Sequence, residues 1–199
     1  LLIDAGTGNL HSVHNALLNL GYSIQVTCNP DDLLRANRII LPGVGAFGKF
    51  MQGLREQGLI EPLKAAAQRG DPFIGICVGM QALFEIGEEL GQHEGLGLLK
   101  GKVVRFPEFK DLKVPHTGWN QLWFGETAPL FRDLPQGAYA YFNHSFYCAN
   151  QNAADTAAHT DYGIDFTSSV RHENLFGVQF HPEKSQRVGQ TVLGNFFKI

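Results

Sequence analysis

The chain has 199 residues, 44% of them hydrophobic and 18% charged, with a formal net charge of -3. That length carries one sizeable core and is short for two, so a single domain over residues 1–199 is expected, and the low charged fraction argues against disorder. The negative balance and the scattered Lys and Arg exclude a nucleic-acid partner held by phosphate neutralisation, and no run approaches the roughly 20 apolar residues that a membrane span needs.

In chain order, Leu1 to Ile3 reads as a strand already under way, so a few upstream residues are expected to be missing; Asp4 and Gly6 interrupt any signal-like apolar run. Asn9 to Leu20 is predicted helical, with Leu10, Val13, Leu17 and Leu20 at helical spacing and Gly21 placed to end it. Ser23 to Thr27 is a strand, Pro30 and Asp31 open a short helix, and Arg38 to Leu41 is a strand running into Pro42-Gly43-Val44-Gly45. Phe47 to Gly58 and Leu59 to Arg69 are predicted helices, Phe73 to Ile76 a buried strand, and Val78 to Glu89 the helix after it. This alternation implies an α/β fold, a mainly parallel central sheet flanked by helices. The second half adds an antiparallel portion, with strands expected at Lys102 to Phe106, Ala138 to Phe142 and Phe166 to Arg171. A strand from Leu175 to Phe180 and a helix from Ser185 to Phe197 close the chain.

The three cysteines, Cys28, Cys77 and Cys148, are odd in number and show no C-x-x-C spacing, which fits reduced thiols in a cytoplasmic protein. Cys28 and Cys148 read as buried packing residues. Cys77 differs, because Gly75-Ile76-Cys77-Val78-Gly79-Met80-Gln81 joins an apolar strand to a helix with a glycine two positions away on either side. That is the pattern of a nucleophile elbow carrying Cys, where the helix N-terminus favours a thiolate and the Val78 N–H can face an oxyanion. Gly43-Val44-Gly45 offers a second donor, since flanking glycines lower the cost of rotating the Val44 peptide. Near the end, Gln179-Phe180-His181-Pro182-Glu183 follows an apolar strand. In extended backbone His181 and Glu183 project to one side, so the carboxylate can orient the imidazole toward Cys77 as a Cys-His-Glu triad.

Together, G-x-C-x-G-x-Q and F-H-P-E resemble the motifs of the triad-bearing class I glutamine amidotransferases, in the right order and over almost the whole chain. The resemblance implies that fold and a thioester mechanism: Cys77 attacks the glutamine side-chain amide, His181 protonates the departing ammonia, and water releases glutamate. It also implies glutamine contacts at Gly45, Gln81, Glu89, Ser145 and Phe146, with Gln81 and Glu89 toward the α-amino end and the backbone around Phe146 toward the carboxylate. Pro115-His116-Thr117-Gly118-Trp119-Asn120 and Tyr141-Phe142-Asn143-His144-Ser145-Phe146 are similar to segments of the glutaminase subunits of imidazole glycerol phosphate synthases, in histidine biosynthesis. Phe146 replaces a Tyr often met there, with little effect expected where the backbone does the binding. That likeness implies a partner, a cyclase subunit built as a (β/α)8 barrel that receives the ammonia and makes imidazole glycerol phosphate and aminoimidazole carboxamide ribotide, with Trp119 and Asn120 facing it. Without the likeness, Trp119 reads as a core aromatic and Asn120 as a turn residue.

Other readings are weaker. A glutaminase subunit of an anthranilate or aminodeoxychorismate synthase, a peptidase-like cysteine hydrolase and a catalytically silent regulatory module share the scaffold, but the Trp119 and His144 segments or the intact triad speak against each. Gly6-Thr7-Gly8 fails as a dinucleotide fingerprint because His11 stands where the third Gly belongs, and no P-loop triplet exists. His11 and His14 lack a third ligand, so neither a metal nor any other cofactor is expected.

Overall fold

A computed structural model of the chain describes residues 1–6, 9–125 and 128–199, so Thr7 and Gly8 of the failed fingerprint lie outside the described residues. The first half runs β1 (Leu2–Ile3), α1 (Leu10–Asn19), β2 (Val26–Thr27), α2 (Pro30–Leu33), β3 (Ile39–Gly43), α3 (Phe47–Glu56), α4 (Ile60–Arg69) and β4 (Phe73–Cys77). Every residue of β1, β3 and β4 is buried, as strands covered by helices on both faces require. In α3 the buried residues are Phe47, Phe50, Met51 and Leu54, one face at helical spacing.

After Cys77 the structure departs from the sequence reading. The predicted helix from Val78 to Glu89 is a single turn, α5 (Val78–Gln81), followed by strand β5 (Phe84–Gly87). The carbonyls of Ala82, Leu83 and Phe84 accept from the N–H groups of Leu96, Leu98 and Gly97. Oxygens that would bind the next helical turn are therefore taken by a returning loop, and the chain extends.

The rest of the chain forms β6 (His93–Glu94), β7 (Leu99–Arg105), β8 (His116–Phe124), β9 (Ala138–His144), β10 (Phe146–Asn150), β11 (Thr156–Asp161), β12 (Asp165–His172), β13 (Leu175–Val178) and α6 (Gln186–Phe196). All thirteen described strands join one mixed sheet. Its parallel block is β2-β1-β3-β4-β13; β12, β10 and β7 continue it antiparallel, and β11, β8 and β9 branch from β12. Strands β6, β8, β10 and β11, like β5, are additions to the sequence reading. In the parallel block Gly43 stands beside Cys77, and Val178 beside Ile76. The carboxyl ends of β3, β4 and β13 thus converge, where open α/β sheets place ligands.

The elbow after β4 depends on close backbone contact. A Cβ on Gly79 would lie 1.8 Å from the Leu41 carbonyl oxygen, and one on Gly75 would lie 2.4 Å from the Gly79 oxygen. Both partners are backbone atoms, which cannot rotate away. Gly79→Ala is expected to lose about 3 kcal/mol of stability, roughly 6–12 °C in Tm, in thermal unfolding. An unchanged Tm would show that α5 can lift from β3 at no cost.

Candidate active site

Cys77 has φ 54 and ψ -112, a backbone shape that L-residues rarely adopt and that turns strand β4 sharply into α5. The turn sets the cysteine at the base of a cleft of about 490 Å³. Because α5 has only four residues, the dipole at Cys77 is that of one turn, not of the longer helix read from the sequence. Other groups supply the polarity. Gln179, fully buried, directs Nε2–H at Cys77 Sγ from 3.8 Å.

His181 lies beside Cys77 on one side, and on the other its Nδ1 donates to Glu183 Oε1 at 2.9 Å. The two side chains are 5% and 0% exposed. Burial alone would push the imidazole down, but its interactions with Cys77 and with the Glu183 carboxylate outweigh it and raise His181 to about 10. The ring is therefore charged at neutral pH and has a proton to give. The local backbone is not the extended segment expected, since Pro182 to Lys184 form a 3-10 turn. The pair still meets because the turn folds Glu183 back under the ring.

Two residues to which the sequence reading gave no part in the site, Ser185 and Asn9, hold this pair, and a third, Gln179, reaches Cys77. Ser185 Oγ donates to the His181 carbonyl at 2.7 Å and accepts from the Tyr141 N–H at 2.9 Å, while the His181 N–H donates to the Tyr141 oxygen at 2.8 Å. The base is thereby tied to β9. Asn9 donates to Glu183 Oε1. Gln179, already noted, had one legible signal: in extended backbone it lies two positions before His181 and shares its side.

The cleft also gathers Val44, Gly45, Val78, Gln81, Glu89, Ser145 and Phe146, each named from the sequence. Val78 opens α5, so its N–H has no partner one turn back. Gly45 has φ 85 with nothing within 4 Å of a Cβ, whereas a Cβ on Gly43 would meet Gly79 N and the Phe50 ring at 2.7 Å. The peptide that carries the Val44 N–H turns on ψ of Gly43 and φ of Val44, and Gly43 is also the position where a side chain would not fit. Glu89 follows β5 in place of ending a helix, and its carboxylate accepts from the Phe47 N–H at 2.7 Å, at the start of α3. Gln81 donates through Nε2 to the Phe146 carbonyl at 3.0 Å and to Gln179 Oε1 at 3.1 Å.

Trp119 and Asn120 lie apart from the cleft on β8. Trp119 is 46% exposed, so it is no core aromatic, and Asn120 sits in a strand, not a turn. The Asn120 amide is committed inward, donating to the Asp161 carbonyl at 2.8 Å and accepting from the Gln121 N–H. Cys148 is buried as expected, but Cys28, beyond the two-residue edge strand β2, is exposed. Among the described residues no cluster of His, Cys, Asp or Glu could hold a metal ion, and no helix is long and apolar enough to cross a membrane.

A cysteine on a strand-to-helix elbow, facing an imidazole paired to a carboxylate beside a polar cleft, is the constellation of an α/β hydrolytic enzyme with a sulfur nucleophile. The family model for class-I glutamine amidotransferases matches residues 1–199, and the chain belongs to that family. Among curated relatives, the imidazole glycerol phosphate synthase subunit HisH of Desulfitobacterium hafniense is 50% identical over 197 residues, covering 99% of this chain and 92% of that protein. The HisH subunit of Moorella thermoacetica is 48% identical over 198 residues, with 100% and 93% covered. Among solved structures, PurLQS from Thermotoga maritima superposes with a TM-score of 0.77 at 20% identity over 99% of this chain and 96% of that one, a likeness of fold.

Proposed function

We propose that the chain hydrolyses L-glutamine to glutamate and ammonia, and passes the ammonia to a cyclase subunit that makes imidazole glycerol phosphate and aminoimidazole carboxamide ribotide. The observation that carries this reading is His181, held between Cys77 and the Glu183 carboxylate at the base of the cleft. The names and near-50% identity of the HisH relatives support the choice of pathway. On this reading Cys77 sulfur attacks the amide carbon, and the Val78 and Val44 N–H groups receive the oxyanion. Collapse expels the amide nitrogen as ammonia with the proton from His181, leaving a thioester. His181, now neutral, takes a proton from water as that water attacks the thioester, and glutamate leaves as the Cys77–acyl bond breaks.

On this reading a (β/α)8-barrel cyclase subunit docks over exposed Trp119. A cytoplasmic pathway suits the three unpaired thiols. Ammonia released into solvent is mostly protonated and lost as a nucleophile, so hydrolysis is gated by the partner. Rotation of the Gly43–Val44 peptide, about ψ of Gly43 and φ of Val44, adds or withdraws one oxyanion donor, which is worth on the order of 10²–10³ in rate. Glutaminase activity is expected to rise by that order from the chain alone to the chain with cyclase and its ligand. A lone chain as fast as the liganded complex would refute the gate and leave the triad standing.

A further inference from the structure

Strands β8 and β9 carry two histidines that the reaction above does not use. His116 and His144 face each other in register and are 2% and 6% exposed. His116 Nδ1 lies 3.0 Å from His144 Nε2. His116 stacks against Phe142 and Tyr162, with ring centroids 4.7 and 3.9 Å away, and Phe106 and Phe166 lie 5.3 Å from the His144 ring.

The neighbours fix where each proton sits. His144 Nδ1 is 2.8 Å from the Phe146 carbonyl, which can only accept, so Nδ1 carries hydrogen and Nε2 of the neutral ring is bare. His116 must then donate from Nδ1, leaving its Nε2 to accept. At the far end, the Asn120 amide is oriented independently by the Asp161 carbonyl and the Gln121 N–H, and it presents Nδ2–H to His116 Nε2 at 3.3 Å. Both ends demand the same direction: Asn120 to His116, His116 to His144, His144 to Phe146 oxygen. An additional proton on either ring would set two N–H groups face to face. Burial pushes His116 down to about 4, and it pushes His144 down to about 3 against the pull of the Phe146 carbonyl, so both rings are neutral near pH 7.

The Phe146 carbonyl also accepts from Gln81 Nε2, whose other partner is Gln179 Oε1. Gln81 therefore has both amide hydrogens engaged and turns Oε1, an acceptor, to the cleft. We propose that His144, held by His116, is a positioning residue for glutamine binding: it aims the Phe146 carbonyl, which locks the Gln81 amide with its oxygen toward the substrate α-ammonium group. The inference rests on the glutaminase reading above.

The test uses the full chain with its cyclase and cyclase ligand. His144→Leu removes the donor to Phe146, which should raise KM for glutamine roughly tenfold with kcat little changed. His144→Asn keeps a donor near the Nδ1 position and should restore KM, a rescue that mere packing of the β8–β9 pair would not give. An unchanged KM in His144→Leu, or an Asn variant no better than Leu, would overturn the proposal. Should the Leu variant fail to fold, ring ¹⁵N spectra of the unaltered chain decide: both rings neutral with hydrogen on Nδ1 support it, and hydrogen on His144 Nε2 overturns it. No glutamine hydrolysis by the unaltered complex would instead overturn the glutaminase reading.

Discussion

Cys77→Ala is expected to abolish glutamine-dependent synthesis by the complex, a loss on the order of 10⁶-fold, while synthesis from added ammonium salts continues at close to the unaltered rate. On the proposed mechanism the sulfur is the atom that becomes acylated, and nothing else in the cleft replaces it. Alanine at this position keeps Gly75 and Gly79 in contact and leaves the β4–α5 turn intact. Steady-state rates with glutamine and with ammonium salts, on the same preparation, make the comparison. An equal fall in both would show that the two half-reactions do not belong to separate chains.

His181→Asn should be nearly as damaging, because it removes the residue that, on the proposed mechanism, protonates the leaving nitrogen and later activates water. Glu183→Gln should retain more, with a fall on the order of 10²–10⁴. Glu183 Oε1 receives hydrogen from both His181 and Asn9, whereas Oε2 is buried with no partner among the described residues. A glutamine can keep its oxygen in the first position and place its amide in the second. The ring would stay aimed while its charged form lost the carboxylate. Triad members act as a unit, so the His181→Asn and Cys77→Ala losses should not multiply in the double variant. A Glu183→Gln variant worse than Cys77→Ala would contradict these roles.

The parallel half of the fold was legible because its strands are buried on both faces and its helices show a single apolar stripe, as in α3. Strand β8 hid because its alternation is inverted. Its inward positions include His116 and Asn120, and its outward ones Trp119 and Trp123, which are 46% and 41% exposed. A rule that sends aromatics inward places such a strand wrongly or nowhere. The extension after Gln81 was illegible for another reason, since local sequence allowed a helix and the loop from Gly95 to Leu99, distant from it in chain order, took the carbonyls. In the site, Cys77, His181 and Glu183, which the structure brings together, were readable from glycine spacing and the His-Pro-Glu run. Asn9, Gln179 and the histidine pair were not, because their partners are set by strand register and not by neighbours in sequence.

The left-handed backbone at Cys77 also bears on how this chain could be hardened against heat. A non-glycine residue in such a conformation costs about 1–3 kcal/mol, a cost that glycine escapes. A mutant library selected only for survival on heating would therefore favour glycine at position 77, and its winners would be inert. Selection for endurance and selection for turnover pull in opposite directions at this one residue, so any directed evolution of the chain must screen both together.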